Sequence, residues 1–288
     1  MTMPTRVALN RKAWGWFLLA AVLAAAWIGL NLLAPDLAVG RVPLRLVLML
    51  LTVAVILYGL WRALARADFS RSRRVAAWLG VALILTIWIG TVWTLAVNGV
   101  FHQNIVGNVP ALTVAIFLPI ALGVFVLTRS RAVASLLDAI PPSWLVGIQV
   151  YRILGGVFLV YWIHGTIPGA FALPAGIGDV TTGLLALPAA VWVASGSPIG
   201  RRIGIRWNLF GLTDFAVAVT MGTLTSPGPA HLLALDHPNT LIGTFPTVMI
   251  PAFAVPFSTL LHVLSVRQLK RVQGTTTTAR PEPILATA

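Results

Sequence analysis

Cysteine is absent from all 288 residues, which removes disulfide frameworks, thiolate metal sites and cysteine nucleophiles together. Charge is nearly as scarce: 9% of residues are charged, against about 25% in an ordinary soluble domain. A water-facing surface cannot be built from so few ionic groups. The chain also lacks a Walker loop, a dinucleotide fingerprint after a strand and an HExxH zinc helix. Ser143, Ser195 and Ser258 occur without a nucleophile elbow. No catalytic residue is assigned, and no motif supports an intramembrane enzyme.

What is present is hydrocarbon. Hydrophobic residues make up 58% of the chain and mean hydropathy is +0.91. Apolar runs of about 18–25 residues recur, the length that crosses a bilayer as helix. The expected fold is therefore all-α, a polytopic transmembrane helix bundle of about eight spans. Residues 1–12 precede the first span, Ala13 to Leu33, which is too long for a signal-peptide core and lacks a convincing cleavage site. Further spans are expected at Val42 to Leu64, Val75 to Val97 and Pro110 to Leu127, closing a first half over 13–131. A second half, 132–269, begins with an amphipathic link, Ala132 to Ile140, that ends where Pro141-Pro142 bars a continuing helix. Its spans run from there to about Gly165, then Leu173 to Ala194, Gly204 to Leu224 and Phe245 to Val266. Residues 270–288 read as a disordered cytoplasmic tail.

The formal charge of +13 would suggest nucleic acid in a soluble protein. Here its distribution is an orientation signal. With eight spans and both termini cytoplasmic, every one of the 20 basic residues falls inside except Arg41 and Arg45, outside, and Arg152, within the membrane. That is the positive-inside pattern. The expected partners are the lipid bilayer, with anionic-lipid contact on the cytoplasmic side, and no nucleic acid. Trp14, Trp16, Trp61, Trp78, Trp144 and Trp207 fall near inner span ends, as an interfacial belt would place them.

The two polar outer loops resemble each other. His102-Gln103-Asn104, then Gly107 and Pro110, answers His237-Pro238-Asn239, then Gly243 and Pro246, and Arg73-Arg74 answers Arg201-Arg202 at a nearly constant offset. The pattern suggests two parallel four-helix repeats.

Ionisable groups at membrane depth cost at least ~2.5–3.5 kcal/mol on insertion scales and mark functional sites by default. Matching depths at ~1.5 Å per residue predict an ion pair between Arg152 and Asp214. Asp179 is expected nearer the outer surface, as a poorer partner for Arg152. It lies in Pro174-Ala175-Gly176-Ile177-Gly178-Asp179, where Gly and Pro weaken the helix, and shares a face with Thr182. Capping a half-helix or pairing with Arg45 is the alternative. Arg152, Asp179, Asp214 and Thr182 are thus the expected substrate or ion path. His164, His102, Asn104, His237 and Asn239 form an expected outer polar vestibule. Imidazole and carboxylate there suit a divalent metal or haem, but no compact ligand spacing exists and His262 is expected at the opposite, inner end, so no cofactor is predicted.

At Gln149-Val150-Tyr151-Arg152, at the Pro174 to Asp179 stretch, and at Pro238-Asn239-Thr240-Leu241-Ile242 with Phe245-Pro246, the chain resembles a group of uncharacterised bacterial multi-pass inner-membrane proteins. The resemblance covers mainly Gln149 to Leu269. It implies class and location in the bacterial cytoplasmic membrane, and no activity. Carriage of a small solute or ion through the polar site is the leading functional expectation. A non-catalytic membrane subunit whose charges hold helices together, and an outer-face metal or haem protein, are the alternatives.

Overall fold

The computed structural model of the chain describes residues 5–35, 44–66, 69–102, 105–106 and 109–277. Long apolar runs leave each backbone amide to bond within its own segment, because hydrocarbon offers no other partner. The result is a helix bundle: α1 (Arg6–Leu33), α2 (Leu44–Arg66), α3 (Arg71–Val97), α4 (Ala111–Arg129), the short α5 (Arg131–Ala139), α6 (Pro142–Gly147), α7 (Val157–Ile163), α8 (Gly169–Ala194), α9 (Pro198–Thr225) and α10 (Val255–Thr277). A 3₁₀ helix, Ile148–Gly156, joins α6 to α7 into one span, and a π-helical turn, Ile250–Ala254, leads into α10. Between α3 and α4 two-residue strands, Ile105–Val106 and Val109–Pro110, pair antiparallel. Residues 278–288 lie outside the described residues.

Helix starts follow local chemistry. Thr5, Ser70, Ser130 and Ser197 cap α1, α3, α5 and α9, each side-chain oxygen accepting from the backbone N–H three residues on, which satisfies an amide the helix itself cannot. Their first turns hold Arg6, Arg71 with Arg73, Arg131, and Arg201, so capped starts and arginines share one end of the bundle. α4 and α8 start at the other end, after Pro110 and Pro168 and without a side-chain cap. There the fixed φ of proline pre-organises the turn.

Among the described residues, seven helices are long and apolar enough to cross a membrane: Arg6–Leu33, Leu46–Arg66, Arg71–Val97, Ala111–Arg129, Pro142–Ile163, Gly169–Ala194 and Ile250–Arg271. The expected span missing from that set is the seventh, Gly204 to Leu224, which corresponds to α9; it has the length, but Asn208, Asp214 and its threonines lower its hydropathy. α9 packs along α8, and α8 packs against the 3₁₀ segment and α1. Asn208 and Asp214 of α9 are buried in protein, while Thr213, Thr220 and Thr223 are exposed.

Two apolar clusters flank this centre. One joins α2, α3 and α10 through Trp88, Phe253 and Phe257, whose rings lie 4.9–6.4 Å apart. The other gathers Trp27, Phe158, Tyr161 and Phe171. At the arginine end, α10 clasps α5. Gln268 donates to the carbonyls of Leu137 and Ile140, Arg267 donates to Leu127 and Ser130, and Arg271 pairs with Asp138 at 2.9 Å.

Three expectations change at this level. α8 runs unbroken from Gly169 to Ala194 through Pro174 and Pro188, so the irregular backbone sits beside Asp179, in the 3₁₀ and π segments, rather than at it. Membrane helices tolerate proline in this way where the freed backbone groups can be satisfied locally. α8 also starts four residues before Leu173, and the last span starts after a turn, at Ile250 rather than Phe245. Finally, Trp207 is buried, donating to the Thr182 carbonyl at 3.0 Å, instead of sitting at an interface.

Candidate functional site

Arg152 is 3% exposed. It lies in the 3₁₀ stretch, whose rise of ~2.0 Å per residue carries it deeper than an α-helix would. Its Nε donates to Asp179 Oδ1 at 2.7 Å, and one terminal nitrogen reaches the same oxygen at 2.6 Å and also Asp214 Oδ2. The other terminal nitrogen donates to the Gly211 carbonyl at 3.3 Å and meets His262 Nε2 at 3.2 Å. A guanidinium has five N–H groups and no acceptor; four hydrogen bonds and the ion pair to Asp179 engage all three of its nitrogens within the protein. The guanidinium carbon lies 3.7 Å from the centroid of the Phe215 ring, a cation held over an aromatic face.

The histidine tautomer follows from these directions. Arg152 can only donate, so His262 Nε2 accepts and Nδ1–H donates to Asn208 Oδ1 at 2.9 Å. The Asn208 amide nitrogen then faces two acceptors, the Gly204 carbonyl at 2.8 Å and Ser265 Oγ at 3.0 Å, which is self-consistent. Tyr151 completes the neighbourhood by bonding the Ser258 hydroxyl. A directed chain thus runs from Arg152 through His262 and Asn208 to Ser265, while Arg152 donates the other way to Asp179.

Glycines admit these side chains. The Asp179 carboxylate occupies the space a Cβ on Gly155 would need, and the Asp214 carboxylate does the same at Gly178. Small residues permit such close approach between membrane helices.

The expected Arg152–Asp214 pair is present. The separation of Asp179 from it is not, for a physical reason. With α8 starting at Gly169, Asp179 lies ten residues in, which is ~15 Å from the helix start instead of ~9 Å. That is the depth of the other two. His262, assigned from the sequence to the inner end, lies twelve residues beyond Ile250, which is ~18 Å in instead of ~26 Å. It is fully buried against Arg152. A polar stripe, Ser258, His262 and Ser265, faces Asn208, Gly211 and Asp214. Both sets recur at helical spacing, and that pattern could have found the histidine.

Thr182 is fully buried with its hydroxyl donating to the Gly178 carbonyl at 2.8 Å. It braces its own helix and lines neither cavity described next. A cavity of about 530 Å³ opens at the loop end, where its rim includes exposed His102 and Pro227 to Pro229, and reaches Asp179. Its walls include Phe101, Phe158, Phe171 and Phe215. A second cavity of about 80 Å³ touches Tyr151, Arg152 and Ser258, and the two share Asp179, Phe215, Ile250 and Val255.

Of the expected vestibule, His102 and Asn239 line the larger cavity. Asn239 is 1% exposed, and its side-chain amide atoms have no hydrogen-bond partner among the described residues. His164 and His237 are exposed and line neither cavity; His164 closes the end of α7. Asn104 and Arg41 lie outside the described residues, as does the Arg45 side chain. Among the described residues no three His, Asp or Glu side chains form a metal-ligand group.

No curated protein matches the chain, and no solved structure does. A family described as a domain of unknown function, DUF8737, matches residues 109–270, a stretch that contains Arg152, Asp179, Asp214 and His262 and leaves α1 to α3 outside. With more than half of its length matched, the chain belongs to the DUF8737 family.

Proposed function

We propose that this integral membrane protein carries a small solute or ion through the site formed by Arg152, Asp179 and Asp214. The observation that supports it is the open cavity ending on Asp179, whose side chain keeps 14% of its exposure. A carboxylate at membrane depth marks a functional site by default, and a charge held only to fix helix register needs no route from the surface. The reading places the protein in a bacterial cytoplasmic membrane with both termini cytoplasmic. The arginine distribution and the capped helix starts support that orientation.

One observation favours the alternative of a non-catalytic membrane subunit: all three Arg152 guanidinium nitrogens are hydrogen-bonded inside the protein. The absence of cysteine permits a direct test. Ala218 lines the larger cavity one helical turn after Asp214. In a carrier, Ala218→Cys reacts with a membrane-impermeant maleimide from the loop face and, in inverted vesicles, from the arginine face as the site alternates. Labelling from the loop face alone would reject carriage in favour of the subunit reading.

A further inference from the structure

We infer that the ligand of the larger cavity is a small hydrophobic amine or other organic cation, whose ammonium group sits on Asp179 and whose apolar body fills the space between the phenylalanines. This rests on the solute-carriage reading and names the class of solute.

Three independent features point the same way. The first is charge. The cluster sets one guanidinium between two carboxylates, so with both ionised it is one positive charge short. A bound cation supplies that charge where the bilayer makes an uncompensated ion costly. Arg152 spends both of its Asp179 bonds on Oδ1, leaving Oδ2 without a bond from the guanidinium. An incoming N–H has an acceptor.

The second is the lining. Among the described residues Asp179 is the one Asp, Glu, Arg or Lys on the larger cavity's wall, and Arg152 borders only the smaller cavity. An anion entering from the loop end would meet a carboxylate first and find all three guanidinium nitrogens of that arginine already hydrogen-bonded within the protein. The third is aromatic. Phe101, Phe158, Phe171 and Phe215 contribute rings to one wall set, and ring faces attract ammonium groups while their edges pack hydrocarbon. Phe215 already holds one cation in this way. Carboxylate, rings and a volume of about 530 Å³ together describe a drug-sized pocket for a lipophilic cation.

The test is titration calorimetry on the full chain in lipid nanodiscs, with empty nanodiscs subtracted for partitioning. Three matched probes are used: diphenylpropylamine, diphenylpropanol and diphenylpropionate. The expected result is amine binding at least about tenfold tighter than the alcohol, with the carboxylate weakest, as a charge-assisted bond in a dry site requires. Asp179→Asn should erase the amine preference while leaving alcohol affinity within about threefold, since Arg152 keeps Asp214. The wild-type comparison decides the matter even where the variant fails to fold. Equal binding of amine and alcohol overturns the cation class and leaves the solute cavity standing, as does tightest binding of the carboxylate. Binding of none of the three overturns both.

Discussion

α3 and α4 bury 11% of their most apolar stretch, whereas the Pro142–Ile163 and Ile250–Arg271 spans each bury 56%. The buried pair is the less hydropathic one, at 1.6 and 1.4 against 2.2 and 2.5. In water the most apolar helix goes to the centre; in a bilayer the solvent is itself apolar, and the order reverses. Helices such as α3, with Leu83 and Ile84 at 61% and 66% exposure, meet lipid. Helices carrying Arg152, Asn208, Asp214 and His262 meet each other.

The contrast can be attacked first at its strongest point. Arg152→Met should cost about 3–5 kcal/mol, because it strands two buried carboxylates, and should be read as a fall in the denaturant midpoint in detergent. Adding Asp214→Asn should return part of the loss, about 0.5–3 kcal/mol of coupling; strictly additive losses would show that the two do not form a unit. Next, His262→Leu leaves Asn208 Oδ1 and one Arg152 N–H without partners, a loss of about 1–3 kcal/mol by the same measurement. A midpoint unchanged by His262→Leu would remove histidine from the centre.

Glycine sharpens the comparison. At Gly178 an added methyl collides with the Asp214 carboxylate, whereas at Gly90 on α3 it meets open space. Gly178→Ala should therefore cost at least about 1 kcal/mol, and Gly90→Ala should gain about 0.5–1 kcal/mol of helix stability. Equal responses would mean that centre and periphery are packed alike. The smallest effect is expected at Ile84→Ala, within about 0.5 kcal/mol, as for other unpacked surface positions.

Periodicity and arginine distribution made the helix bundle readable from the chain, and equal depth along two helices made the Arg152–Asp214 pair readable. Asp179 and His262 were misplaced for one shared reason. Depth counted along a helix inherits any error in where that helix starts. The starts at Gly169 and Ile250 are set by tertiary packing and turns rather than by hydropathy. Four or five residues are ~6–8 Å, the difference between a vestibule and the centre. The 3₁₀ stretch around Arg152 carries no composition signal. The cavity was unreadable because its walls come from α4, α7, α8, α9 and the loops beside them, none of which shows a hollow on its own.

The wide turn at Ile250–Ala254 borders both cavities. A π-helical turn holds about one residue more than an α-helical turn, so tightening it would rotate everything downstream by roughly 100°. Ser258 and His262 lie within the next few turns, one bonded to Tyr151 and the other to Arg152 and Asn208. Those bonds therefore fix the phase of the last helix like a key in a shaft. Because the same shaft ends in the clasp on α5, a change at the cavity would be felt as torque at the opposite end of the molecule.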